Sequence, residues 1–361
     1  MLAVNALVGL LVWAVWAFVW GARYLDALAD HWAVALTMVF GSLVGGGTSE
    51  GGGAIAFPVL TKVLDVPADR ARVFTFAIQS LGMGAASLSI LGSRVPVEGR
   101  VILYGSSAGV VGVLTSVVLI APLVPLPTVR ALFTMLLVAL AIALALQLRQ
   151  RGYRRHPRVP RWGAREVLLV SGFGLAGGLL SGVAGVGENC VMFLLLVLLF
   201  RVSEKVATPT TVVMMTVVSI AAFLAHAFVV GDFTGPVRDY WIASVPVVVV
   251  GAPLGAWICT RLTPLTIRVL LFALIGTEFV STLLFVPFTP GIALVSGGVL
   301  IALTLLSVAF VRTTRYACPG AGVRGAPDAV PIPVATSVPG VSPRAPGGAA
   351  DMSGVRNSYL E

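Results

Sequence analysis

The chain is short of charge. Only 11% of its 361 residues are Asp, Glu, Lys or Arg, 58% are apolar, and the mean hydropathy is +0.99. A soluble fold of this length needs far more surface charge, so the composition excludes one and points to a polytopic membrane protein. Cysteine is scarce as well. Cys190, Cys259 and Cys318 show neither pairing nor metal spacing, which excludes a disulfide framework. The three histidines, His31, His156 and His226, are scattered, and no HExxH, GxSxG or GK[ST] pattern occurs. No catalytic residue, metal site or cofactor is therefore expected. The net charge of +9 is concentrated in one loop and the tail. That distribution argues for positive-inside topology and against a nucleic-acid partner.

What the chain has in abundance is apolar sequence. A membrane span needs about 20 apolar residues. Uncharged segments near or above that length lie at 2–22, 73–93, 101–124, 131–148, 206–230, 240–260 and 289–311. The segment 268–288 joins them if Glu278 in its middle is tolerated. The first run has no basic leader and no A-x-A-like end, so it reads as a retained span and not a signal peptide. Two further regions, 32–62 and 167–200, are apolar but interrupted, by "GGGTSEGGG" (45–53) and "SGVAGVGEN" (181–189). Their halves, about 12 to 18 residues, are marginal for a full crossing and suit hairpins that enter and leave by one face. The expected fold is all-α: about eight full spans plus two interrupted hairpins.

The charges orient these spans. The loop "RQRGYRRHPRVPRWGAR" carries Arg149, Arg151, Arg154, Arg155, Arg158, Arg161 and Arg165 and is read as cytoplasmic. Counting outwards puts both termini in the cytoplasm, and it closes only if each interrupted region starts and ends on one side, which a hairpin or two short spans would both satisfy. The first then opens from outside and the second from the cytoplasm. The halves also resemble each other. "EGGGAIAFPVL" (50–60) lies against "VGENCVMFLLL" (186–196) at a spacing of 136, and "PLPTVR" (125–130) against "TPLTIR" (263–268) at 138. Each unit is an interrupted region plus three spans, an odd number, so the second copy is inverted. Inverted repeats with broken helices are a recurring transporter plan, with the site at the midplane. Chance likeness of two glycine-rich stretches is the alternative. The division is 1–30 (first span and loop), 31–148 (first repeat), 149–166 (basic loop), 167–288 (second repeat), 289–315 (last span) and 316–361 (tail). The tail is rich in Pro, Gly, Ala and Ser and reads as disordered.

Breaking a helix inside a membrane frees backbone N–H groups. The N-terminus of a half-helix presents such groups with a positive dipole end, which suits an anion. Gly51, Gly52 and Gly53, and Gly187, Glu188 and Asn189, are thus expected to begin half-helices whose amides face a small anion near the midplane. Close helix packing is the competing role for glycine. Glu50, Glu188 and Glu278 are the acids at membrane depth, where an ionised carboxylate costs about 2.5–3.5 kcal/mol on insertion scales. They are the candidate proton-coupling groups. Glu278 has an alternative as a protonated carboxyl bonded to Thr277 or a neighbouring helix. Thr75 and Gln79 share a helix face at i, i+4; Thr211, Met215 and Ser219 repeat that spacing, and Thr75 aligns with Thr211. Thr75, Gln79 and Thr211 are candidate donors to an oxyanion, with bonds to neighbouring helices as the alternative. His226 reads as an interfacial residue or a proton relay. Arg70, Arg72, Arg201 and Lys205 follow the interrupted regions and read as ordinary loop charge, with attraction of anions to the mouths as the alternative.

These motifs resemble the sulfite exporter TauE/SafE family over about residues 30–312. The first copy of its pattern is "SEGGGAIAFPVL" with "ADRARVFTFAIQS", and the second is "GVGENCVMFLLL" with "EKVATPTTVV", preceded by "LSGVAGVG". The resemblance implies a secondary transporter of the cytoplasmic membrane, coupled to protons. Its substrate would be a small anion: sulfite, a sulfonate, a related sulfur oxyanion or an organic acid. Ser49-Glu50 and Glu188-Asn189 replace glycines of the pattern, so the site differs from a plain sulfite site. An anion channel, a structural membrane protein and an intramembrane enzyme using Glu188 and His226 are the other readings, the last without a nucleophile or metal triad. The oligomeric state stays open.

Overall fold

In lipid every backbone N–H and C=O must be satisfied within its own segment, so apolar runs of this length become helices. The computed structural model of the protein describes residues 2–48, 52–148, 155–262, 264–313, 315 and 316. Its helices are α1 (Leu2–Asp30), α2 (Trp32–Gly47), α3 (Gly53–Pro58), α4 (Ala68–Gly92), α5 (Gly99–Thr115) and α6 (Leu126–Leu148), followed by α7 (Ala164–Ala184), α8 (Glu188–Leu194), α9 (Glu204–Leu224), α10 (Pro236–Arg261), α11 (Pro264–Phe285) and α12 (Pro290–Arg312). Helices α3, α5, α8 and α9 run on into π-helical turns at Val59–Val63, Ser116–Ile120, Leu195–Leu199 and Ala225–Val230. The only bridge of β type among the described residues joins His156 to Val202.

Among the described residues eight helices are long and apolar enough to cross a membrane: α1, α4, α5, α6, α7, α9, α10 and α12. The protein is an all-α, multi-pass membrane protein. Helix α7, expected as one half of an interrupted region, has 21 residues and is itself long enough to cross; α11, with 22 residues, carries Glu278 in its middle. Glycine propensity argues against a long α7, but tertiary packing overrides it. A Cβ on Gly174 would run into the Gly105 carbonyl of α5, and one on Gly178 into that of Gly109. The backbones touch there, as small residues allow between membrane helices. The seam between α2 and α10 is built alike, with Gly46 against Ala252 and Gly255 against Leu43. Close packing, the competing role for glycine, is the role these residues have.

The 136-residue spacing recurs in the geometry. The π-helical turns Val59–Val63 and Leu195–Leu199 are that far apart at both ends, as are the starts of α4 and α9 at Ala68 and Glu204. Between turn and helix, Val66 N donates to Leu60 O at 2.8 Å, and Val202 N to Leu196 O at 2.9 Å. Asp65 and Arg201 both take positive φ, 50° and 54°, unusual for residues with a side chain. The same device thus ends each hairpin and launches the next span. Helices α4 and α9 run antiparallel: Phe76 meets His226, Gln79 meets Ser219 and Ser87 meets Thr216. The packing is reciprocal as well, since α2 lies along α10 and α7 along α5.

The two ends of the bundle differ. At one end the basic loop, the exit of the second hairpin and the segment after α12 come together. There Arg155 Nη1 donates to Val197 O at 3.0 Å, His156 N to Arg201 O at 2.9 Å and Arg201 Nη2 to Thr313 O at 3.1 Å. Tyr316 donates its hydroxyl to Glu166. Burial, with that bond, pushes the Tyr316 phenol up to about 12, so it stays a donor at any physiological pH. At the other end Arg23 pairs with Asp239 at 3.2 Å, and the rings of His31 and Tyr240 meet edge to face. Arg149, Arg151, Arg154 and the tail from Ala317 lie outside the described residues.

Candidate functional site

Both interrupted regions fold back on themselves. Helix α2 stops at Gly47, Thr48 is extended and buried, and helix resumes at Gly53. A Cβ on Gly52 would lie 3.2 Å from the Gly41 carbonyl, so the returning limb of the hairpin runs back alongside α2. Glu50 and Gly51 lie outside the described residues. In the second region α7 ends in a left-handed cap at Gly185 (φ 80°), whose N–H donates to Ser181 O at 2.7 Å. Gly187 takes φ 150°, ψ −39°, a conformation open to glycine and costly for other residues. These two glycines make the reversal possible.

The reversal also changes what the second break offers. The Gly187 N–H donates to Asn189 Oδ1 at 3.3 Å, and the Glu188 N–H to Ser181 Oγ at 2.8 Å. The expectation that these amides point unpaired at an anion is corrected: side chains of the same hairpin cap them. A buried donor with no water nearby must find a partner, and Ser181 and Asn189 are the nearest acceptors.

The two breaks nevertheless meet. A Cβ on Gly53 would lie 2.6 Å from Gln79 Nε2, 2.7 Å from Thr75 Cγ2 and 3.1 Å from Val186 Cγ1. The first hairpin, the polar stripe of α4 and the second break therefore converge on one point. Gln79 Oε1 accepts from Ser219 Oγ at 3.1 Å, while its Nε2 is buried with no partner among the described residues. Thr75 turns its hydroxyl back to Ala71 O at 2.8 Å, so it faces the junction with its methyl group. Thr211 likewise bonds Thr208 O at 2.9 Å, and no described bond ties it to either break. In both cases the helix's own carbonyl is the nearest acceptor.

One cation stands at this junction. Arg72 lies on α4, 7% exposed, with its stem against Gly185 and its Nη1 donating to Val183 O at 3.3 Å. Reading it as loop charge is corrected. The last carbonyls of α7 have no helical partners, and a guanidinium satisfies one of them. Arg72 Nε has no partner among the described residues.

The acids separate into two kinds. Glu188 is 1% exposed and packed against Gly177 and Gly109, and neither carboxyl oxygen has a partner among the described residues. Glu278 is fully engaged instead. Lys62 Nζ lies 2.6 Å from its Oε1, Thr134 donates to the same oxygen at 2.8 Å, and Ser281 and Thr282 accept from the ammonium at 2.9 and 2.7 Å. Of the two partners considered for Glu278, the bonds go to neighbouring elements and not to Thr277, whose hydroxyl goes to Ala273 O. Glu278 thus anchors the end of the first hairpin to α11 and α6. Lys62 was the missed residue, although a signal existed: a lone lysine and a lone glutamate within apolar segments are expected to find each other.

His226 is buried, with Nδ1 at 2.9 and 3.1 Å from the Asp232 oxygens and its ring stacked on Phe76. Among the described residues no group of His, Cys, Asp and Glu is arranged to hold a metal ion. A family model described as Sulfite exporter TauE/SafE matches residues 33–282, a range that includes both breaks, the α4 stripe and the Lys62–Glu278 pair. No curated protein and no solved structure matches the chain.

Proposed function

Because the chain belongs to the sulfite exporter TauE/SafE family, we propose that it is a secondary transporter, not an enzyme, for a small sulfur oxyanion, sulfonate or organic acid. The observation that carries this reading is the convergence of both breaks and the α4 stripe at Gly53, Thr75, Gln79 and Val186, with Arg72 beside them. The anion enters at this junction when the halves part, because in the present conformation the atoms around Gly52, Gly53 and Gly187 are packed too closely for even a Cβ. Arg72 supplies its counter-charge and Gln79 Nε2 a neutral donor. Asn189 holds the second break in shape by capping it, and Thr75 closes one wall.

Proton coupling falls to Glu188. An ionised carboxylate without a partner costs several kcal/mol in an apolar interior, so this group prefers to carry a proton or to face a ligand's donor. Glu278 already has its cation and serves as an anchor. The antiparallel run of α4 and α9 and the reciprocal packing of the halves support an inverted two-fold relation between them. Rocking of one half against the other then exposes the junction alternately. The basic loop and both termini face the cytoplasm, and the protein resides in the cytoplasmic membrane.

Uptake of labelled sulfite and methanesulfonate into proteoliposomes, with and without a pH gradient, tests the proposal. Saturable flux with counterflow is expected; no flux for either anion or for small carboxylates under any gradient would sink it. Arg72→Gln removes a charge-assisted bond of about 1.5–3 kcal/mol, so apparent affinity should fall roughly 10- to 150-fold. Gly53→Val should block flux, because its β-branched side chain occupies the junction. Glu188→Gln should retain counterflow and lose accumulation driven by the pH gradient.

A further inference from the structure

We propose that the basic loop, fastened by Tyr316, is a latch over the exit of the second hairpin, and that the second break opens to this end of the bundle only when Tyr316 lets go. Its consequence for flux rests on the transporter reading; the latch itself rests on contacts at this end. The two hairpin exits are built alike but covered differently. Asp65 and Arg201, 136 residues apart, take the same positive φ, yet Asp65 is exposed and Arg201 is buried. Val63 is 70% exposed and its counterpart Leu199 only 6%. Every residue from Glu188 to Arg201 is buried. Inverted repeats exchange environments as access alternates, so the covered exit marks the end that is shut.

Residues 155–163 lie across this exit as a strap. His156 pairs with it as a single strand residue would: its N–H donates to Arg201 O and its carbonyl accepts from Ser203 N, both at 2.9 Å. Arg155 Nη1 reaches Val197 O, among the last carbonyls of the hairpin's helix, at 3.0 Å. On the far side of the strap, Glu98, between α4 and α5, accepts the Val159 N–H. The Trp162 ring lies 6.1 Å from that of Tyr104 on α5. None of these contacts belongs to a helical ladder, so the strap can lift without unwinding a span.

Tyr316, just after α12, joins three elements at once. Its carbonyl accepts from His156 Nε2 at 2.9 Å, which ties it to the strap. Its hydroxyl donates to Glu166 at the start of α7, and its ring meets Phe200 of the hairpin exit edge to face at 5.1 Å. Arg315 adds a charge 3.8 Å from the same Glu166 oxygen. The phenol is buried, so no water competes for the bond to the carboxylate. Helix α7 and the hairpin exit flank the second break from this end, and Tyr316 holds both against the strap. Behind this seal lies Cys190, the residue after Asn189, itself buried.

Cys190 is the reporter. With Cys259→Ser and Cys318→Ser it becomes the one thiol of the full-length chain. A charged, membrane-impermeant thiol reagent is applied to each face of membrane vesicles in turn, and a separate Arg161→Cys variant, labelled in the strap, identifies the loop face. Tyr316→Phe keeps the ring and loses a bond to a carboxylate, so labelling of Cys190 from the loop face should quicken roughly tenfold. Tyr316→Ala should quicken it further, and labelling from the opposite face should not change. Unchanged labelling in both variants overturns the proposal. So does an equal rise from both faces, which is general loosening and not release of a latch. Methanesulfonate counterflow in Tyr316→Phe should persist with a raised half-saturation at the opposite face, because release favours the state open to the loop; an unchanged value overturns the link to transport. If the unaltered protein moves no anion, the transporter reading fails, and the labelling rates still decide the latch.

Discussion

Lys62→Met should destabilise the protein by about 3–5 kcal/mol, the cost of removing one partner from a buried ion pair. Both side chains of the Lys62–Glu278 pair are 4% exposed, so no water replaces the lost ammonium. Thr134 and Thr282 remain as hydroxyl neighbours, but neither neutralises a carboxylate. The double variant Lys62→Met, Glu278→Met should recover most of the loss, because replacing a buried pair by apolar side chains of similar size is often neutral. Thermal unfolding in detergent is the measurement. A single variant melting with the unaltered protein would show that the pair does not hold the hairpin. At the repeat spacings the counterparts of Lys62 and Glu278 are Leu198 and Leu140, so the anchor belongs to one half alone.

Gly178→Leu should be nearly as damaging, by a different route. Its Cβ would meet the Gly109 carbonyl, an atom of the α5 backbone with no rotamer to escape into. The helices must part along their whole seam, and overpacking costs typically about 1–3 kcal/mol, more where the backbone itself must move. Gly172→Leu, on the same helix, is the control. Nothing lies within 4 Å of its Cβ position, and leucine gains a few tenths up to about 1 kcal/mol over glycine in a helix. Opposite shifts in unfolding temperature are expected. Equal stability of the two variants would mean that α5 and α7 are not in backbone contact.

Span number, the two breaks, the 136-residue spacing and the family were legible in the sequence because each is a local or periodic property. An apolar run of sufficient length has to become a helix in lipid, and glycine clusters interrupt it wherever they fall. The stripe Thr75–Gln79 was legible for the same reason, since i, i+4 spacing sets a shared face whatever packs on it. Which atoms of that stripe face the junction was not. Gln79 offers its Nε2 there because Ser219, 140 residues away, occupies its oxygen.

The charged groups show the division most clearly. The sequence alone established that Glu188 and Glu278 sit among apolar residues and must each be compensated; Lys62, equally isolated, went unread. Only the tertiary structure decided how: Lys62 to Glu278 across 216 residues, Arg72 to the end of α7 across 111, and Glu188 to no described partner at all. A buried charge is compensated by what lies within a few ångströms, and that distance is created by helix packing. The pattern along the chain carries the need for a partner; the fold carries its identity.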